Sequence, residues 1–383
     1  MQNSSNSLKL RLRTSSLRAY TMLGALVLIW LFFHWQTGLV FLTPRNLSNL
    51  MLQTSVTGII AVGMLMVIVS GNIDLSVGSL LALSGGVGAI LLVNLGLGLV
   101  PSILAAIAVG VAIGLLQGSL TAYARIPAFI VTLGGLLAWR GAIKGISQSE
   151  TIPIADERFT AIGQSYIVSE AGWGLAAVAI AAIVYFAVRR ARVKKEYDVA
   201  ESGLRGELLG TFLPIAGVLA FIAVMNAWKG IPVPVLIFLT VALAGYFITT
   251  NTTFGRYIYA VGGNSEAARL SGINNKAIVL KVFALLGGFV GIAALIYTAR
   301  VASASPDAGT LLELDAIAAC VIGGTSLMGG RGTVFGACLG ALIMTSLDNG
   351  MSLLNLPDYT QEVIKGSILV AAVGVDMIGK RSA

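Results

Sequence analysis

Residues 51–90 read MLQTSVTGIIAVGMLMVIVSGNIDLSVGSLLALSGGVGAI, two long apolar runs separated by the short polar string SGNID at 70–74. Each run has about 20 residues, the length at which a helix crosses the ~30 Å hydrocarbon layer of a membrane. Isolated strands facing lipid leave their backbone polar groups unsatisfied, so helices are the expected solution. This stretch predicts two transmembrane helices with a break between them.

The rest of the chain has the same character, since 56% of its 383 residues are hydrophobic and only 11% are charged. That composition is typical of integral membrane proteins. It predicts an all-α, polytopic transmembrane bundle of about 10–12 helices, forming one transmembrane domain over 19–379. The predicted spans are 19–41, 50–70, 74–94, 99–123, 128–147, 172–188, 208–227, 233–250, 277–298, 314–329, 333–349 and 361–378. The least secure are 128–147, which carries Arg140 and Lys144, and the two runs around Gly329 to Gly332.

The positive charges predict the orientation, because loops rich in Lys and Arg remain on the cytoplasmic side. A cytoplasmic N-terminus places most of the 25 lysines and arginines inside. Twelve spans then put the tails 1–18 and 380–383 and the polar segment 251–276 in the cytoplasm. The net charge of +8 is explained by this topology, without a nucleic acid partner. The first apolar run is too long for a cleaved signal and is interpreted as a retained helix.

Enzyme chemistry has few candidate residues. The chain has one histidine, His34, and two cysteines, Cys320 and Cys338, in separate apolar spans. They supply no metal cluster and no nucleophile–histidine–acid set. The string GVDMIGKR at 374–381 is similar to a phosphate-binding loop, but Arg381 stands where that loop needs Ser or Thr. We expect no catalytic site, cofactor or metal. If the protein moves a solute uphill, the energy comes from a partner protein or from an ion gradient.

Polar residues in the break at 70–76 are candidates for a solute pathway. An acidic side chain at the centre of a membrane helix costs about 2.5–3.5 kcal/mol, so Asp74 needs a reason to be there. Asn72, Asp74 and Ser76 either line a pathway or, as an alternative left open, cap the helix that begins there. Asn349 is a further pathway candidate, although the string Asp348–Gly350 is interpreted as a loop that closes a span.

Two parts of the chain follow a similar order. Acidic residues precede an apolar run at Asp74 and again at Glu313 and Asp315. Each run is followed by glycines at a spacing of four, Gly110, Gly114 and Gly118 in one place and Gly332, Gly336 and Gly340 in the other. Small faces of this kind let helices approach closely in lipid. The order predicts a possible internal repeat, as in many transporters.

The segment 251–276, NTTFGRYIYAVGGNSEAARLSGINNK, is a polar connection rich in glycine and asparagine. Within it SEAARLSG predicts a helix of about two turns, with Ser265 as its N-cap and Gly272 as its C-terminal stop. Such a short helix is marginal in water by itself. Two interpretations remain open: a helix that docks into a soluble partner, or a connector lying on the membrane surface.

The loop and four other motifs together resemble one family. They are FGRYIYA at 254–260 with GGNSEAARLSGI at 262–273, AVGM at 61–64, IDLSVGS at 73–79, RIPAFIVTLGG at 125–135 with WRG at 139–141, and ELDAIAACVIGGTSLMGGRG at 313–332. These strings are similar to permease subunits of bacterial sugar ABC importers, the ribose, galactose and xylose branch. The resemblance covers nearly everything after residue 45.

The resemblance implies a mechanism and a set of partners. The loop would carry the coupling helix of a separate ABC ATPase with two nucleotide-binding domains. The residues implied to contact that ATPase are Gly263, Asn264, Glu266, Ala267, Ala268, Arg269 and Gly272. A periplasmic binding protein would deliver the sugar, and a homodimer would supply the second coupling loop. The chain would be a multi-pass protein of the bacterial inner membrane, in contact with membrane lipid.

One block departs from the ribose-type pattern. Residues from about 165 to 230 form two apolar runs joined by a basic string, and they predict an extra helical hairpin. The block is most similar to the xylose members of the family, so xylose is the leading substrate; no residue by itself distinguishes a pentose from a hexose. The alternative function is a secondary sugar transporter driven by an ion gradient.

Overall fold

A computed structural model describes residues 21–196 and 209–381, and nearly all of them belong to helices. The helices in these ranges are α1 (Thr21–Gln36), α2 (Pro44–Val69), α3 (Val77–Ala89), α4 (Leu99–Ala122), α5 (Ala128–Ile146), α6 (Glu157–Gln164), α7 (Ser169–Glu196), α8 (Phe212–Asn226), α9 (Val233–Asn251), α10 (Thr253–Gly263), α11 (Ser265–Leu270), α12 (Asn275–Val301), α13 (Leu312–Ile322), α14 (Val334–Leu353) and α15 (Asp358–Arg381). The α3 helix continues into a π-helical turn, Ile90–Asn94.

Four two-residue strands join the connections between helices. Strand β1 (Ile152–Pro153) pairs antiparallel with β4 (Ser303–Ala304), and β2 (Tyr166–Ile167) pairs antiparallel with β3 (Ile231–Pro232). These pairs give the connections hydrogen-bond partners and fix the ends of the helices beside them.

The predicted helical membrane bundle is confirmed. Within the described ranges, eight helices are long and apolar enough to cross a membrane, and α1 and α8 are shorter apolar helices. The span predicted at 128–147 is α5, despite Arg140 and Lys144. The predicted tail 1–18 lies outside the described residues, as do the end of the chain at 382–383 and residues 197–208 of the basic connection.

The span predicted at 314–329 is wrong in its length. Its helix, α13, has 11 residues and a length of about 16 Å, roughly half of a 30 Å hydrocarbon layer. The helix ends at Gly323, and Gly324 follows in the left-handed region with φ of +86°. A glycine in that conformation is a common helix stop, so the chain continues as a non-helical turn to the start of α14.

The centre of the bundle is α2. Every residue from Val56 to Val69 is buried, and these side chains form the main core together with α12, α13 and α14. Helices α5 and α7 instead expose large apolar side chains along most of their length, for example Leu137 and Val178. In a membrane protein such faces contact lipid or another subunit, so the bundle has a protein-packed centre and an apolar periphery.

Glycine allows the tightest helix pair to form. Helices α4 and α12 run antiparallel, with Gly110 against Gly287 and Gly114 against Phe283. A Cβ built on Gly110 would lie 2.1 Å from the carbonyl oxygen of Gly287, and one on Gly287 would lie 2.0 Å from that of Gly110. Two backbones in contact gain dispersion energy along the whole seam, which substitutes for the hydrophobic effect in lipid.

The order of elements recurs in two parts of the bundle. A long helix, α2 or α12, is followed by a non-helical break, a helix (α3 or α13) and another long helix (α4 or α14). Helix α4 packs on α12, and α14 packs antiparallel on α2 through Asn46–Asn349 and Thr54–Thr345 hydrogen bonds. The predicted glycine correspondence is wrong: Gly332 precedes α14, and Gly336 and Gly340 face α13, whereas the glycines of α4 face α12.

Contacts also define two ends of the bundle. The C-terminal end of α2 meets α10 and the turn after α13, where Gly330 donates its N–H to Val69. We call this end the loop face. The start of α2, the end of α14 and both strand pairs lie at the other end, which we call the opposite face.

We expect Gly110→Ala to lower the thermal unfolding midpoint of the detergent-solubilised protein. The added methyl group must separate α4 from α12, and overpacking of this kind costs about 1–3 kcal/mol. The matched control is Gly217→Ala in α8, where a Cβ meets nothing within 4 Å; alanine there should be neutral or stabilising. Equal midpoints for the two variants would contradict the proposed role of the glycine seam.

Candidate functional site

The segment 251–276 folds into two helices rather than one. The first, α10, begins where the hydroxyl of Thr252 accepts the N–H of Gly255. The second, α11, begins at Asn264, whose side chain accepts the N–H of Ala267 at 2.9 Å. The predicted N-cap, Ser265, is therefore wrong by one residue. The predicted stop is found: Gly272 has φ of +85° and follows the last turn of α11.

The α11 helix is a short projection from the loop face. Of residues 263–272 only Ala268 is buried, and Leu270 exposes 74% of its surface. Arg269 donates to both carboxylate oxygens of Glu266, at 2.6 and 3.1 Å. The guanidinium holds the pKa of Glu266 below its usual value and raises that of Arg269, so both remain charged. The helix therefore presents an exposed leucine next to an exposed ion pair at the loop face.

The two helices are fixed to the bundle through close backbone contacts. A Cβ on Gly262 would lie 1.7 Å from the carbonyl oxygen of Val69, so only glycine fits there. Tyr259 donates its hydroxyl to the carbonyl of Gly332 at 2.8 Å, and burial raises the pKa of Tyr259, which keeps this donor protonated. Asn275 donates to the carbonyl of Ser265 at 2.7 Å.

The same contacts join α10 to both breaks in the bundle. Val69 is the last residue of α2, directly before the break at 70–76, and Gly330 and Gly332 lie in the turn between α13 and α14. Gly262 contacts both places. A displacement of α10 and α11 would therefore be transmitted to both breaks at once.

Three predicted pathway residues lie together in the first break. Asp74 is 2% exposed and accepts the N–H and the hydroxyl of Ser76, both at 2.7 Å. Gln117 of α4 donates to the hydroxyl of Ser76 at 2.8 Å. Asn72 is half-buried and donates to the hydroxyl and the carbonyl of Ser70. The Asp74 carboxylate therefore forms a turn with Ser76, the residue before α3, and Ser76 itself makes no side-chain cap hydrogen bond to that helix. The capping interpretation and the pathway interpretation both stay predictions.

The fourth predicted pathway residue is placed elsewhere. Asn349 is 3% exposed and accepts a hydrogen bond from Asn46 at 2.8 Å, which joins α14 to α2. The string Asp348–Gly350 is not a loop, since α14 continues to Leu353. Asn349 therefore faces a neighbouring helix, while Asp348, one residue earlier, faces a cavity.

A cavity of about 390 Å³ lies between α2, α12, α14 and the segment that leads into α13. Its lining is largely polar and has both signs of charge. The residues are Gln53, Val56, Thr57, Tyr297, Arg300, Asp307, Gly309, Thr310, Leu312, Asp315, Thr345, Asp348 and Ser352. Hydroxyl, amide, carboxylate and guanidinium groups arranged in this way suit a small polyhydroxylated solute.

Two acidic residues of the cavity share one lysine. The ammonium of Lys365 on α15 lies 3.0 Å from Asp315 of α13 and 3.1 Å from Asp348 of α14. The three side chains are mostly shielded from solvent, so the cluster holds three helices together at the cavity wall. Asp315 and Asp348 stand out in the sequence, but their pairing with Lys365 does not. The spacing of these residues does not show that α15 packs beside α13 and α14.

The cations of α5 are also accounted for. Arg140 donates to the carbonyls of Pro306 and Ala308, at 2.5 and 2.8 Å, and Lys144 lies 3.0 Å from Asp307. These bonds attach α5 to the segment that forms one wall of the cavity. Charged residues in an apolar helix are thus explained by partners on the neighbouring connection.

Comparisons with known proteins agree with one another. Residues 46–373 match the family described as "Branched-chain amino acid transport system / permease component". The chain is 46% identical to the xylose transport system permease protein XylH of Escherichia coli strain K12, covering 97% of this chain and 94% of that protein. It is 44% identical to XylH of Haemophilus influenzae, with 97% and 99% covered. The ribose import permease protein RbsC of E. coli K12 is 38% identical, with 88% and 87% covered. No solved structure matches.

We expect the three residues of the lysine cluster to differ in their effect on stability. Lys365→Met leaves two carboxylates facing each other without a cation and should destabilise the protein by about 3–5 kcal/mol. Asp315→Asn or Asp348→Asn leaves one ion pair and should cost much less. Thermal unfolding in detergent measures the order, with the exposed Lys281→Met as a neutral control. A milder effect for Lys365→Met than for either aspartate variant would exclude this account.

Proposed function

The chain belongs to the family of transport-system permease components, and we propose that it is the membrane-spanning subunit of an ATP-driven importer of xylose. The main support is its similarity, over nearly the whole length of both chains, to proteins named as xylose transport permeases. The ribose permease is less similar and matches over a smaller part of the chain. Xylose is therefore favoured over ribose as the substrate.

We propose that energy enters through α11. Asn264, Glu266, Ala267 and Arg269 would contact a groove of a separate ATPase, with Gly263 and Gly272 giving the short helix its sharp ends and Ala268 joining it to the core. The exposed Leu270 would be the apolar anchor of that contact. The support is geometric, since α11 projects from the loop face while α10 contacts both helix breaks.

The proposed partners follow from this arrangement. An ATPase with two nucleotide-binding domains needs two coupling helices, and a symmetric homodimer of this chain supplies them. The loop face and both termini would then be cytoplasmic. A periplasmic binding protein would deliver the sugar at the opposite face.

We propose that the sugar passes the cavity between α2, α12 and α14. The hydroxyl groups that line the cavity can donate or accept hydrogen bonds, and its carboxylates can accept them. These groups would replace the water molecules that hydrate a neutral pentose. Asn72, Asp74 and Ser76 would act at the break 70–76, where a change of backbone conformation would change the direction of α3. Asn349 would act indirectly, by holding α14 against α2.

Buried carboxylates beside the cavity also favour a second candidate, a secondary transporter driven by an ion gradient. Asp315 and Asp348 would then exchange protons or sodium ions during transport. Their shared lysine argues against this, because Lys365 neutralises one of the two charges throughout.

We expect proteoliposomes with this chain, its ATPase and its binding protein to take up radiolabelled xylose when ATP is present inside and no ion gradient exists. Ribose should compete weakly, because delivery and passage both depend on the fit of the sugar. Omitting the ATPase is the control. Uptake by the chain alone on imposing a proton or sodium gradient would replace the proposal with the secondary transporter.

We expect Leu270→Asp to reduce ATP-driven uptake at least tenfold without changing the unfolding midpoint. The side chain is exposed in the isolated subunit, so its loss removes no internal packing, whereas an anchor at an interface typically contributes 2 kcal/mol or more. The matched control is Leu97→Asp, an exposed leucine in the connection between α3 and α4 on the opposite face. Equal uptake by the two variants would show that α11 does not couple the ATPase.

A further inference from the structure

A second, larger pocket lies on the opposite face, where the extra hairpin meets the rest of the bundle. Its volume is about 590 Å³, and its walls come from the start of α2, the end of α8, strand β2 and the end of α14. The β2–β3 pair and the bond from Asn226 to the carbonyl of Ser169 fix the hairpin there. Three of its ten lining residues, Tyr166, Trp228 and Lys229, come from the block at about 165 to 230.

The pocket is cationic and aromatic. The guanidinium of Arg45 lies 5.6 Å from the ring centre of Trp228. The ammonium of Lys229 lies 5.7 Å from the ring of Tyr166 and 5.8 Å from that of Trp228. No carboxylate lines this pocket, and in residues 21–196 and 209–381 neither cation has an acidic partner within ion-pair distance. Two positive charges held on aromatic faces without a counter-ion make a preformed anion site.

The position of the pocket limits what the anion can belong to. It lies next to the C-terminal ends of two apolar helices, α1 and α8, whose exposed side chains include Phe32 and Leu219. Tryptophan, tyrosine, arginine and lysine at such helix ends are typical of the membrane–water boundary. The pocket itself has an apolar part, formed by Val40, Leu52 and Leu353. An occupant that combines a negative headgroup with hydrocarbon matches both parts.

We propose that this pocket binds the headgroup of an anionic phospholipid from the leaflet at the opposite face, with Arg45 and Lys229 on the phosphate. The acyl chains would follow the exposed sides of α1 and α8. The lipid would fasten the extra hairpin to α2 and α14, the helices that border the cavity of about 390 Å³. The inference needs only that the chain lies in a membrane, and it does not depend on the substrate or on ATP.

The test compares lipid retention by variants of the full-length chain, using native mass spectrometry after exchange into micelles containing phosphatidylglycerol or phosphatidylcholine. The variants are Arg45→Gln with Lys229→Gln, the conservative pair Arg45→Lys with Lys229→Arg, and Lys276→Gln. The last is the matched control, because Lys276 lies 5.6 Å from the ring of Tyr123 on the loop face, outside the pocket. Unfolding midpoints identify any variant that fails to fold.

We expect phosphatidylglycerol to be retained, and the double glutamine variant to bind it about 30-fold more weakly. The conservative pair and the control should bind as the wild type does, and phosphatidylcholine should not be retained. Three outcomes would overturn the proposal. The first is equal lipid retention by all variants, and the second is displacement of the lipid by inorganic phosphate at millimolar concentration. The third is normal lipid retention by the double glutamine variant together with weaker docking of an acidic binding protein on that variant. The second would indicate a free-anion site and the third a protein-docking surface.

Discussion

The contact on which the rest depends is the meeting of three backbone segments at Gly262. A glycine in α10, the last carbonyl of α2 and the turn around Gly330 approach so closely that no side chain fits between them. Backbones in direct contact cannot slide past one another as flexible side chains do, so the three segments move together or separate completely. The polar loop 251–276 is therefore in direct contact with the end of the membrane helix α2.

The breaks joined by this contact are sites where the membrane environment makes irregular backbone expensive. Non-helical backbone at membrane depth persists only where protein groups satisfy its polar atoms. At 70–76 those groups are the Asp74 carboxylate, Ser76 and Gln117. In the connection before α13, Arg140 donates to the carbonyls of Pro306 and Ala308. Polar side chains therefore accompany both of these non-helical connections.

The sequence predicted the helices well because their signal is local. Runs of about 20 apolar residues have one solution in lipid, and the helix stop at Gly272 follows from local capping chemistry. The start of the same helix is less well predicted, since its N-cap is Asn264 and not Ser265. It failed where the answer depends on residues far apart. The run after Asp315 is apolar enough to cross the membrane, but it ends at Gly323, beside Gly336 of the next helix. Lys365 forms ion pairs with two aspartates that are 17 and 50 residues away in the sequence. The Asn349 side chain accepts a hydrogen bond from Asn46, 303 residues away. No periodicity in the sequence predicts contacts between residues that are so far apart.

The recurring order of elements places the proposed coupling helix next to both halves of the bundle. The element order of α2 to α4 recurs in α12 to α14, and α10 lies where the end of the first long helix meets the second break. On the proposed coupling, a partner that moves α11 would act on the residues before α3 and after α13 together, because both segments contact Gly262. The glycine seam between α4 and α12 stays packed during such a shift, since separating two backbones in contact along several turns costs more than tilting them as a unit. This packing therefore favours rotation of the α4–α12 pair as a rigid unit, with the change of conformation confined to the non-helical breaks.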